Sequence, residues 1–372
     1  MLPNFVVLLG ALASTATALP AAEPVRAVSL QSRAVSCTFK TLDEAVKGKS
    51  KCDKITLDNI VVPAGKTLDL TSLKKGTNLV FKGKTTFGYK EWEGPLIAVS
   101  GEGVTVEGTS GHLIDCDGAR WWDTKGGNGG KKKPKLFNAK NLNNSVIKGL
   151  NIRNQPVHGF SINTVKNLSI YDVTLDSAAG DSKGGHNTDG FNIGNAENIY
   201  ISGAIVKNQD DCIAINSGTN ITFTNGDCSG GHGLSIGSVG GRSNNVVKNV
   251  KITNSKISNS DNGVRIKTIA KATGSVSNIL YENITLKDIV KQGIVIQQDY
   301  ENSKPTGTPS GGVPITGVTL KKVTGNVLSK GANVYILCAK GACSNWKWDG
   351  VSVTGGGKPK SCQNVPSPAK CS

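Results

Sequence analysis

The chain is poor in aromatic residues, in charged residues and in long apolar segments. Aromatic residues make up 5% of its 372 residues, charged residues make up 19%, and there is a single Met. No CxxC motif or spaced Cys/His quartet occurs, which argues against a structural zinc site. Beyond the N-terminal segment, no apolar run reaches the roughly 20 residues that a membrane-spanning helix needs. Hydrophobic residues still amount to 37%, which is enough for a buried core and excludes a disordered chain.

Glycine and asparagine are abundant by contrast. The chain has 46 Gly, about 12% against a usual level of about 7%. Both residue types accept positive φ angles, and both are poor helix formers. The composition therefore predicts a mostly-β protein with many tight turns.

The net charge is strongly positive, with 43 Lys and Arg against 27 Asp and Glu, or +16. Such a charge attracts nucleic acid, anionic lipid or acidic polysaccharide. Nucleic-acid-binding proteins usually cluster basic residues with aromatic residues that stack on bases, and this sequence does not. We therefore expect no nucleic-acid partner and no membrane association. The densest basic run, Lys131-Lys132-Lys133-Pro134-Lys135, is predicted to be a solvated loop.

The N-terminus has features of an export signal. Residues 5–13 form an apolar stretch too short to span a bilayer, and Ala16-Thr17-Ala18 provides a small-x-small cleavage site. We predict a signal peptide at residues 1–18, a propeptide at 19–33 and a single domain at 34–372. The protein is expected to be secreted and extracellular.

Export to an oxidising compartment allows disulfides to form. Eight of the nine cysteines fall into close sequential pairs, and the low entropy cost of closing short loops favours pairing within them, although other connectivities stay open. Cys116 is then left over as a buried thiol. The predicted disulfides are Cys37–Cys52, Cys212–Cys228, Cys338–Cys343 and Cys362–Cys371. The sequence also contains candidate glycosylation sites at Asn143, Asn167, Asn220 and Asn283.

A weak repeat organises the chain from residue 144 onward. Each unit opens with Asn or Gly, continues with alternating apolar residues and recurs after about 20 to 40 residues. This pattern predicts a solenoid whose coils stack on one another, and because crossovers between parallel strands are right-handed, we predict a right-handed parallel β-helix. The opening residues are Asn144, Asn167, Asn198, Asn220, Asn249, Asn278 and Gly317, and the asparagines among them are interpreted as a structural ladder.

Both ends of such a solenoid need covers. Thr41-Leu42-Asp43-Glu44 has the pattern of a capping box, which predicts a short helix over the N-terminal end. The cysteine-paired tail from Cys338 to Cys371 is expected to close the other end.

A second strand recurs in each unit as a four-residue word close to Gly-Φ-x-Ile, at residues 159–162, 190–193, 212–215, 233–236, 263–266 and 293–296. If the coils stack in register, the two apolar positions point inward and the third points outward. The position before each word is polar, so a polar strip should line one exterior face. These positions are His158, Asp189, Asp211, His232, Asn262 and Gln292.

Three carboxylates converge in this alignment, Asp189 on one coil and Asp210 with Asp211 on the next. Because neighbouring strands lie about 4.8 Å apart, all three cannot ionise freely, and one should retain a proton. An acid beside bases is the set that glycoside hydrolysis requires. Arg265 and Lys267, on one strand face nearby, indicate a sugar that carries a carboxylate.

These residues resemble the signature motifs of polygalacturonases, family 28 of the glycoside hydrolases, and the chain is similar to the secreted fungal endo-acting members. The similarity covers nearly the whole mature chain and includes Trp121-Trp122-Asp123, Gln298-Asp299-Tyr300 and the cysteine pairs. The four motifs, in order, are Asn187-Thr188-Asp189, Gln209-Asp210-Asp211, Gly231-His232-Gly233 and Arg265-Ile266-Lys267.

The resemblance implies endo-acting hydrolysis of α-1,4-galacturonosyl linkages in polygalacturonate or pectin, with inversion and with no metal or other cofactor. It implies that Asp210 is the general acid, that Asp189 and Asp211 activate water, and that His232 supports the acid. Asn187 would steady the carboxylates.

The resemblance also assigns the substrate contacts. Arg265 and Lys267 would hold galacturonate carboxylates near the scissile bond, and Tyr300 would contact the sugar on the leaving-group side. It implies a monomer, with a plant inhibitor protein of the leucine-rich-repeat type as a partner to test.

Two other functions stay open at this point. A pectate lyase can use a parallel β-helix and clustered carboxylates, with Ca²⁺ and a basic residue for β-elimination. A catalytically silent β-helix would only bind cell-wall glycan and would not need the carboxylates. Trp121 and Trp122 could either pack in the interior or form a platform for sugar.

Overall fold

Short parallel strands joined by turns build the protein. The structure, a computed structural model, describes Met1 and residues 34–302, 304–357 and 361–372, and the part from Ala34 to Ser372 forms one unit. The proposed cleavage sites and most of the predicted signal peptide and propeptide lie outside the described residues, so those assignments stay predictions. The strands stack as a right-handed parallel β-helix, as the repeat predicts.

The strands form three ladders, one per side of each coil. The ladder that carries the Gly-Φ-x-Ile words is a ten-stranded sheet formed by Leu68–Leu70, Ile97–Glu102, Phe137–Asn143, Phe160–Asn163, Phe191–Gly194, Asp211–Ile215, Gly233–Val239, Asn262–Ile269, Gln292–Tyr300 and Ala332–Leu337.

The other two ladders belong to a 21-stranded sheet. The first consists of Ser36–Phe39, Lys54–Asp58, Asn78–Lys82, Thr105–Gly108, Ser145–Lys148, Lys166–Tyr171, Ala196–Ser202, Gly218–Thr224, Cys343–Ser344 and Lys347–Asp349. The second consists of Val61–Val62, Lys84–Phe87, Leu113–Asp115, Asn151–Arg153, Thr174–Asp176, Ile205–Lys207, Asp227–Ser229 and Ser352–Thr354. Three long strands run through both ladders: Val246–Ser258, Ser275–Ile289 and Ile315–Val327.

Alternation of side chains along each strand forms the core. In Phe191–Gly194, Phe191 and Ile193 are buried while Asn192, between them, is partly exposed. The parallel register pairs Phe160 with Phe191 and Phe191 with Ile213, so apolar residues of successive coils lie in columns. The Phe160 and Phe191 rings stack with their centroids 5.3 Å apart. The inward orientation predicted for the four-residue words is confirmed.

Helices are short and few in the described part of the chain. Helix α1, Leu42–Gly48, begins with the predicted capping box: Thr41 accepts a hydrogen bond from the Glu44 N–H, and Glu44 accepts one from the Thr41 N–H. Helix α1 packs on strands Ser36–Phe39 and Leu68–Leu70, at the N-terminal end of the coils. The remaining helices are α2, Gly180–Lys183, and the 3₁₀ helices Lys49–Lys51 and Gly118–Arg120. No helix among these is long and apolar enough to cross a membrane.

The structure contains all four expected disulfides and leaves Cys116 as a buried free thiol. Two of the disulfides lie in the C-terminal segment, where Leu337 forms an isolated bridge with Gln363 and Val365 packs against the core. This segment covers the last coils.

The asparagines that open the repeats form a hydrogen-bonded ladder along the exterior. From Asn167 onward, each amide Nδ2 donates to the Oδ1 of the preceding asparagine, over 2.8 Å from Asn198 to Asn167 and 2.9 Å from Asn220 to Asn198. All of them have positive φ, which asparagine tolerates better than most residues. The ladder prediction is confirmed. The bonded residues are Asn144, Asn167, Asn198, Asn220, Asn249 and Asn278.

The candidate glycosylation sites are tied to this exterior surface. Asn167 and Asn220 belong to the ladder, and the amide of Asn283 donates to Asn254 Oδ1 over 2.9 Å. The side-chain oxygen of Asn143 accepts a hydrogen bond from the backbone N–H of Lys166. Glycosylation at these four positions stays a prediction.

Substitutions at Asn198 should separate the two contributions of a ladder residue. Asn198→Gly removes the exposed amide hydrogen bonds but keeps the backbone conformation, so we expect a loss of about 1 kcal/mol. Asn198→Ala also forces φ near +56° on a residue with a Cβ, which should cost about 1–2 kcal/mol more. Urea unfolding followed by circular dichroism should give midpoints in the order wild type, Asn198→Gly, Asn198→Ala. Equal midpoints for the two variants would contradict this account.

Candidate active site

The ten-stranded sheet changes register where the carboxylates lie. Asp211 pairs with Gly233, but Ile213 pairs with Leu234, so one strand has an extra residue at this point. The sequence alignment had placed Asp211 opposite His232 and missed this bulge. Bulges redirect side chains and often lie beside active sites. The carboxylates that converge here have one oxygen each within 4.8 Å of the others, and they belong to Asp189, Asp210 and Asp211.

A buried polar scaffold fixes the turns that carry these residues. The Asn208 amide donates to the backbone carbonyls of Thr188, Asp210 and Asp211 over 2.9, 3.0 and 3.1 Å. The Thr188 hydroxyl accepts from the Gln209 N–H over 2.7 Å and donates to the Gln209 side chain. Two neighbouring coils are thereby held together. The sequence assigned no role to Asn208, and its position directly before Gln209-Asp210-Asp211 is the one signal that could have indicated it.

Asp210 accepts hydrogen bonds on both carboxylate oxygens. The Asn187 amide donates to Oδ2 over 2.7 Å, and the Asp211 N–H donates to Oδ1 over 2.7 Å. His232 Nδ1 also lies 3.1 Å from Oδ1. Burial favours the neutral acid, but the hydrogen bond and charge of His232 prevail and hold the pKa of Asp210 well below its ordinary value. Asp210 is therefore ionised in the free site.

Asp189 has the opposite electrostatic environment. Its side chain is buried, and burial, followed by the charges of Asp210 and Asp211, raises its pKa well above the ordinary value. His158 Nε2 lies 3.7 Å from Asp189 Oδ1, and burial lowers the pKa of His158 to about 4, so this imidazole is neutral near pH 6. The proton that the crowded carboxylates retain is thus on Asp189 when the site is empty.

Asp211 is bound by cations and a hydroxyl. Lys267 Nζ lies 2.8 Å from Oδ2, Arg265 Nη1 lies 3.5 Å from Oδ1, and the Ser235 hydroxyl donates to Oδ1 over 2.6 Å. Ca²⁺ takes six to eight oxygen ligands, and both oxygens of Asp211 are already engaged by these groups. The donor set therefore fits a positively charged side-chain pair better than a calcium ion.

His232 bridges two carboxylates, one of which the sequence analysis missed. Its Nε2 lies 3.4 Å from Asp261 Oδ2, which in turn pairs with Lys291 at 2.7 Å. Burial disfavours the imidazolium, but the hydrogen bond and charge of Asp210, with smaller contributions from Asp211 and Asp261, raise the pKa of His232. Asp261 directly precedes Asn262 in the polar strip, which is the signal that could have identified it.

Two polar cavities flank the carboxylates along the stack of coils. One, of about 740 Å³, is lined mainly by residues of the preceding coils, such as Lys140, Ser161 and Asn192, and extends to Asn216 and Arg242. The other, of about 600 Å³, lies over the following coils. Its lining brings together most of the residues expected to bind or act on a substrate, namely Asn187, Asp210, His232, Arg265, Lys267 and Tyr300. The Tyr300 ring lies beside both cations, 5.3 Å from Lys267 Nζ and 5.9 Å from Arg265 Cζ.

The two tryptophans and one lysine of the basic run are interior residues. Trp121 and Trp122 are buried, and their indole N–H groups donate to the carbonyls of Lys90 and Gln155. They are therefore packing residues and form no sugar platform. The prediction of a solvated loop is wrong for Lys133, whose side chain is 2% exposed and lies 2.8 Å from Asp123. A partly buried carboxylate partner, not visible from the basic run alone, accounts for the difference.

One protein family and several fungal proteins match this chain over most of its length. The family model described as "Glycosyl hydrolases family 28" matches residues 52–371. The chain is 63% identical over 364 residues to Endopolygalacturonase 1 of Colletotrichum lindemuthianum, covering 98% of both chains. It is 61% identical over 360 residues to Endopolygalacturonase B of Aspergillus niger, covering 97% of both.

Solved structures give the same result for the fold. Endopolygalacturonase I from Stereum purpureum, complexed with two galacturonate, has a TM-score of 0.77 at 38% identity and covers 86% of this chain and 95% of that chain. The polygalacturonase from Erwinia carotovora, at 21% identity, has a TM-score of 0.66 and covers 91% of this chain and 99% of that chain. Because the family model spans most of the sequence and the fungal relatives match nearly all of it, the chain belongs to family 28 of the glycosyl hydrolases.

Proposed function

We propose that the protein is a secreted endo-acting hydrolase of α-1,4-galacturonosyl linkages in polygalacturonate. The observation that carries this proposal is a carboxylate cluster with Arg265 and Lys267 beside it, of which Asp210 lines one polar cavity, while His158, next to Asp189, lines the other. Cavities on both sides of the cluster allow a polymer to extend in both directions, which supports cleavage within a chain. The names of the fungal relatives and the galacturonate bound to the Stereum purpureum enzyme support the same substrate.

Asp210 is the proposed general acid. It lines the second cavity and can reach a glycosidic oxygen there, whereas Asp189 and Asp211 lie behind it against His158 and Lys267. Protonation of the leaving oxygen by a positioned carboxyl group is the step that a glycoside hydrolase requires of its acid.

The free site stores its proton on the wrong carboxyl group for this step. Asp189 holds the proton in the free site, while Asp210 must hold it when the bond breaks. Because the carboxylates lie within 4.8 Å, their titrations belong to the group as a whole. We propose that substrate, by displacing water from around Asp210, shifts the proton to it and leaves Asp189 and Asp211 ionised to activate the attacking water.

Inversion of the anomeric centre is part of the proposal. The carboxylate oxygens lie closer together than the roughly 6.5–9.5 Å that separates the two carboxyl groups of a typical inverting pair. Inversion therefore needs the water to be bound beside the cluster, on the opposite side of the sugar from the leaving oxygen. Direct observation of the first-formed anomer tests this step.

Three residues are proposed to bind the substrate next to the scissile bond. Arg265 and Lys267 can pair with galacturonate carboxylates, and Arg offers bidentate geometry for this. Tyr300, whose ring lies beside both cations, is proposed to contact the sugar on the leaving-group side, as the family resemblance implies. Asn187 holds Asp210 through the 2.7 Å amide bond.

We also propose where the protein acts and with which partners. The four disulfides fit an oxidising extracellular compartment. We propose a monomer that needs no cofactor, and a plant inhibitor protein as a partner to be tested by direct binding.

A polygalacturonate assay with EDTA should separate hydrolysis from elimination. Incubation with de-esterified polygalacturonate should release reducing ends without an unsaturated chromophore and should give mixed oligomers early. Proton NMR of the first products should show the β-anomer at the new reducing end, because the substrate linkage is α. A chromophore that appears only in a parallel assay with calcium in place of EDTA would identify a lyase, and an absence of product in both assays would favour a glycan-binding protein. An initial α-anomer would contradict inversion alone.

Asp210→Asn should remove most of the turnover, because it replaces a proton donor by an amide of similar shape. We expect kcat to fall by about a hundredfold or more while binding of oligogalacturonate changes little. Asp227→Asn, at an exposed carboxylate of the 21-stranded sheet, is the matched control and should behave as wild type. Near-normal turnover of Asp210→Asn would refute the assignment of the acid.

The two site histidines should titrate far apart. His232, whose pKa is raised, should stay protonated above pH 6.5, while His158 should stay neutral down to about pH 4. Imidazole NMR titrations can measure both, with His232→Gln and His158→Gln to assign the signals. Asp210→Asn should lower the pKa of His232, since it removes the principal group that raises it. A pKa of His232 below 6.5 in the wild type would contradict the proposed pairing with Asp210.

A further inference from the structure

The loop at residues 123–133 contacts the amide oxygen of Asn187. The Gly127 N–H donates to Asn187 Oδ1 over 2.9 Å, and the Asn128 side-chain amide lies 3.3 Å from the same oxygen. With two donors at its oxygen, the Asn187 side chain must direct its NH₂ group to the other side. That group donates to Asp210 Oδ2 over 2.7 Å, so the loop selects the orientation of the amide that serves Asp210.

Asp123 anchors both ends of this loop. Its Oδ1 accepts from the Lys125 N–H over 3.0 Å, and its Oδ2 accepts from the Lys131 N–H over 2.8 Å. Lys133 Nζ lies 2.8 Å from Asp123 Oδ1 and donates to the Lys131 carbonyl over 2.8 Å. The ion pair between the buried Lys133 and the partly buried Asp123, together with these hydrogen bonds, fixes the loop geometry. Asp123 and Lys133 have no part in the proposed reaction, and holding this loop in shape is the role that their contacts support.

Glycine at position 126 allows the loop to approach Asn187. Gly126 has a φ of +57°, and a Cβ at this position would overlap the Asn187 side-chain amide and crowd the His186 carbonyl. Gly149 has a φ of +60°, but a Cβ there would meet nothing within 4 Å. The two glycines therefore share the same backbone demand, and only Gly126 also needs the space beside the site.

We propose that loop 123–133 is a positioning element for the general acid, which holds the Asn187 amide in the orientation that donates to Asp210. The inference rests on the proposed role of Asp210. Asn187 and the loop act through Asp210 and touch no reacting bond in this account. Loss of the amide orientation removes a donor to the Asp210 carboxylate and displaces this side chain from its place in the cavity.

The expected pH effect follows from the groups around Asp210. Loss of a hydrogen bond to a carboxylate raises its pKa, so the pH profile of kcat should move toward higher pH. The other charged and titratable groups that face Asp210 or act through His232 are not themselves substituted: Asp189, Asp211, His158, His232, His186, Asp261 and Lys267.

Gly126→Ala tests the proposal, with Gly149→Ala as the control for backbone strain. We expect Gly126→Ala to lower kcat about tenfold, to change KM much less and to shift the pH profile upward. Gly149→Ala should lose some thermal stability but keep the wild-type kcat and pH profile. Asn128→Ala removes one donor without backbone strain and should give a smaller change of kcat and pH profile in the same direction. If Gly126→Ala does not fold, the kcat and pH profile of Asn128→Ala test the positioning role.

The outcomes separate this inference from the proposed function. If Gly126→Ala and Asn128→Ala keep the kcat and pH profile of the wild type while Asp210→Asn is inactive, the positioning role is overturned and the acid assignment stands. If Gly149→Ala reproduces the effect of Gly126→Ala, backbone strain accounts for it and the positioning role is likewise overturned. Near-normal activity of Asp210→Asn would instead overturn the function on which the inference rests.

Discussion

The spacing of about 4.8 Å between neighbouring parallel strands is the constraint on which the rest of this structure depends. Each coil places its equivalent residues directly against those of the next coil, so side chains of the same type lie next to one another along the stack. This proximity is favourable for apolar residues such as Phe160 and Phe191, which pack together, and for the ladder asparagines, whose amides hydrogen-bond to one another. For carboxylates the same proximity is unfavourable, because their negative charges repel each other. The convergence of Asp189 with Asp210 and Asp211 is a local exception that needs its own compensation.

Each of the three carboxylates is compensated in a different way. Lys267 and Arg265 neutralise Asp211, while hydrogen bonds from Asn187 and His232 hold Asp210 in its ionised form. Asp189 forms no ion pair with Lys or Arg within the described part of the chain; burial and its carboxylate neighbours outweigh the charge of Lys267, and Asp189 keeps the proton. Three chemically identical groups thus differ in protonation because their surroundings differ. A hydrolase needs this asymmetry, since one carboxyl group must donate a proton while the others accept one.

Much of this architecture could be predicted from the sequence, because its causes are local and periodic. Alternation predicted that Phe191 and Ile193 point inward, and four short motifs predicted which polar residues share the site. The bulge before Ile213 could not be predicted, since an extra residue in a strand does not break the alternating pattern that follows it. Burial of Lys133 was also missed, because it depends on Asp123, a partner that the loop brings close only once folded.

The protonation states of the site also couple stability to pH. His232 and Asp189 have raised pKa values in the folded protein, so the stability each contributes is complete below its unfolded pKa and is lost as the pH rises through the folded pKa. Asp210 has a lowered pKa, so its contribution is present above its unfolded pKa of about 3.8 and is lost as the pH falls. Between these limits, under mildly acidic conditions, His232 is charged, Asp210 is ionised and Asp189 holds the proton. The pH range in which His232 and Asp210 are both charged is thus also the range in which Asp189 holds the proton that the reaction requires.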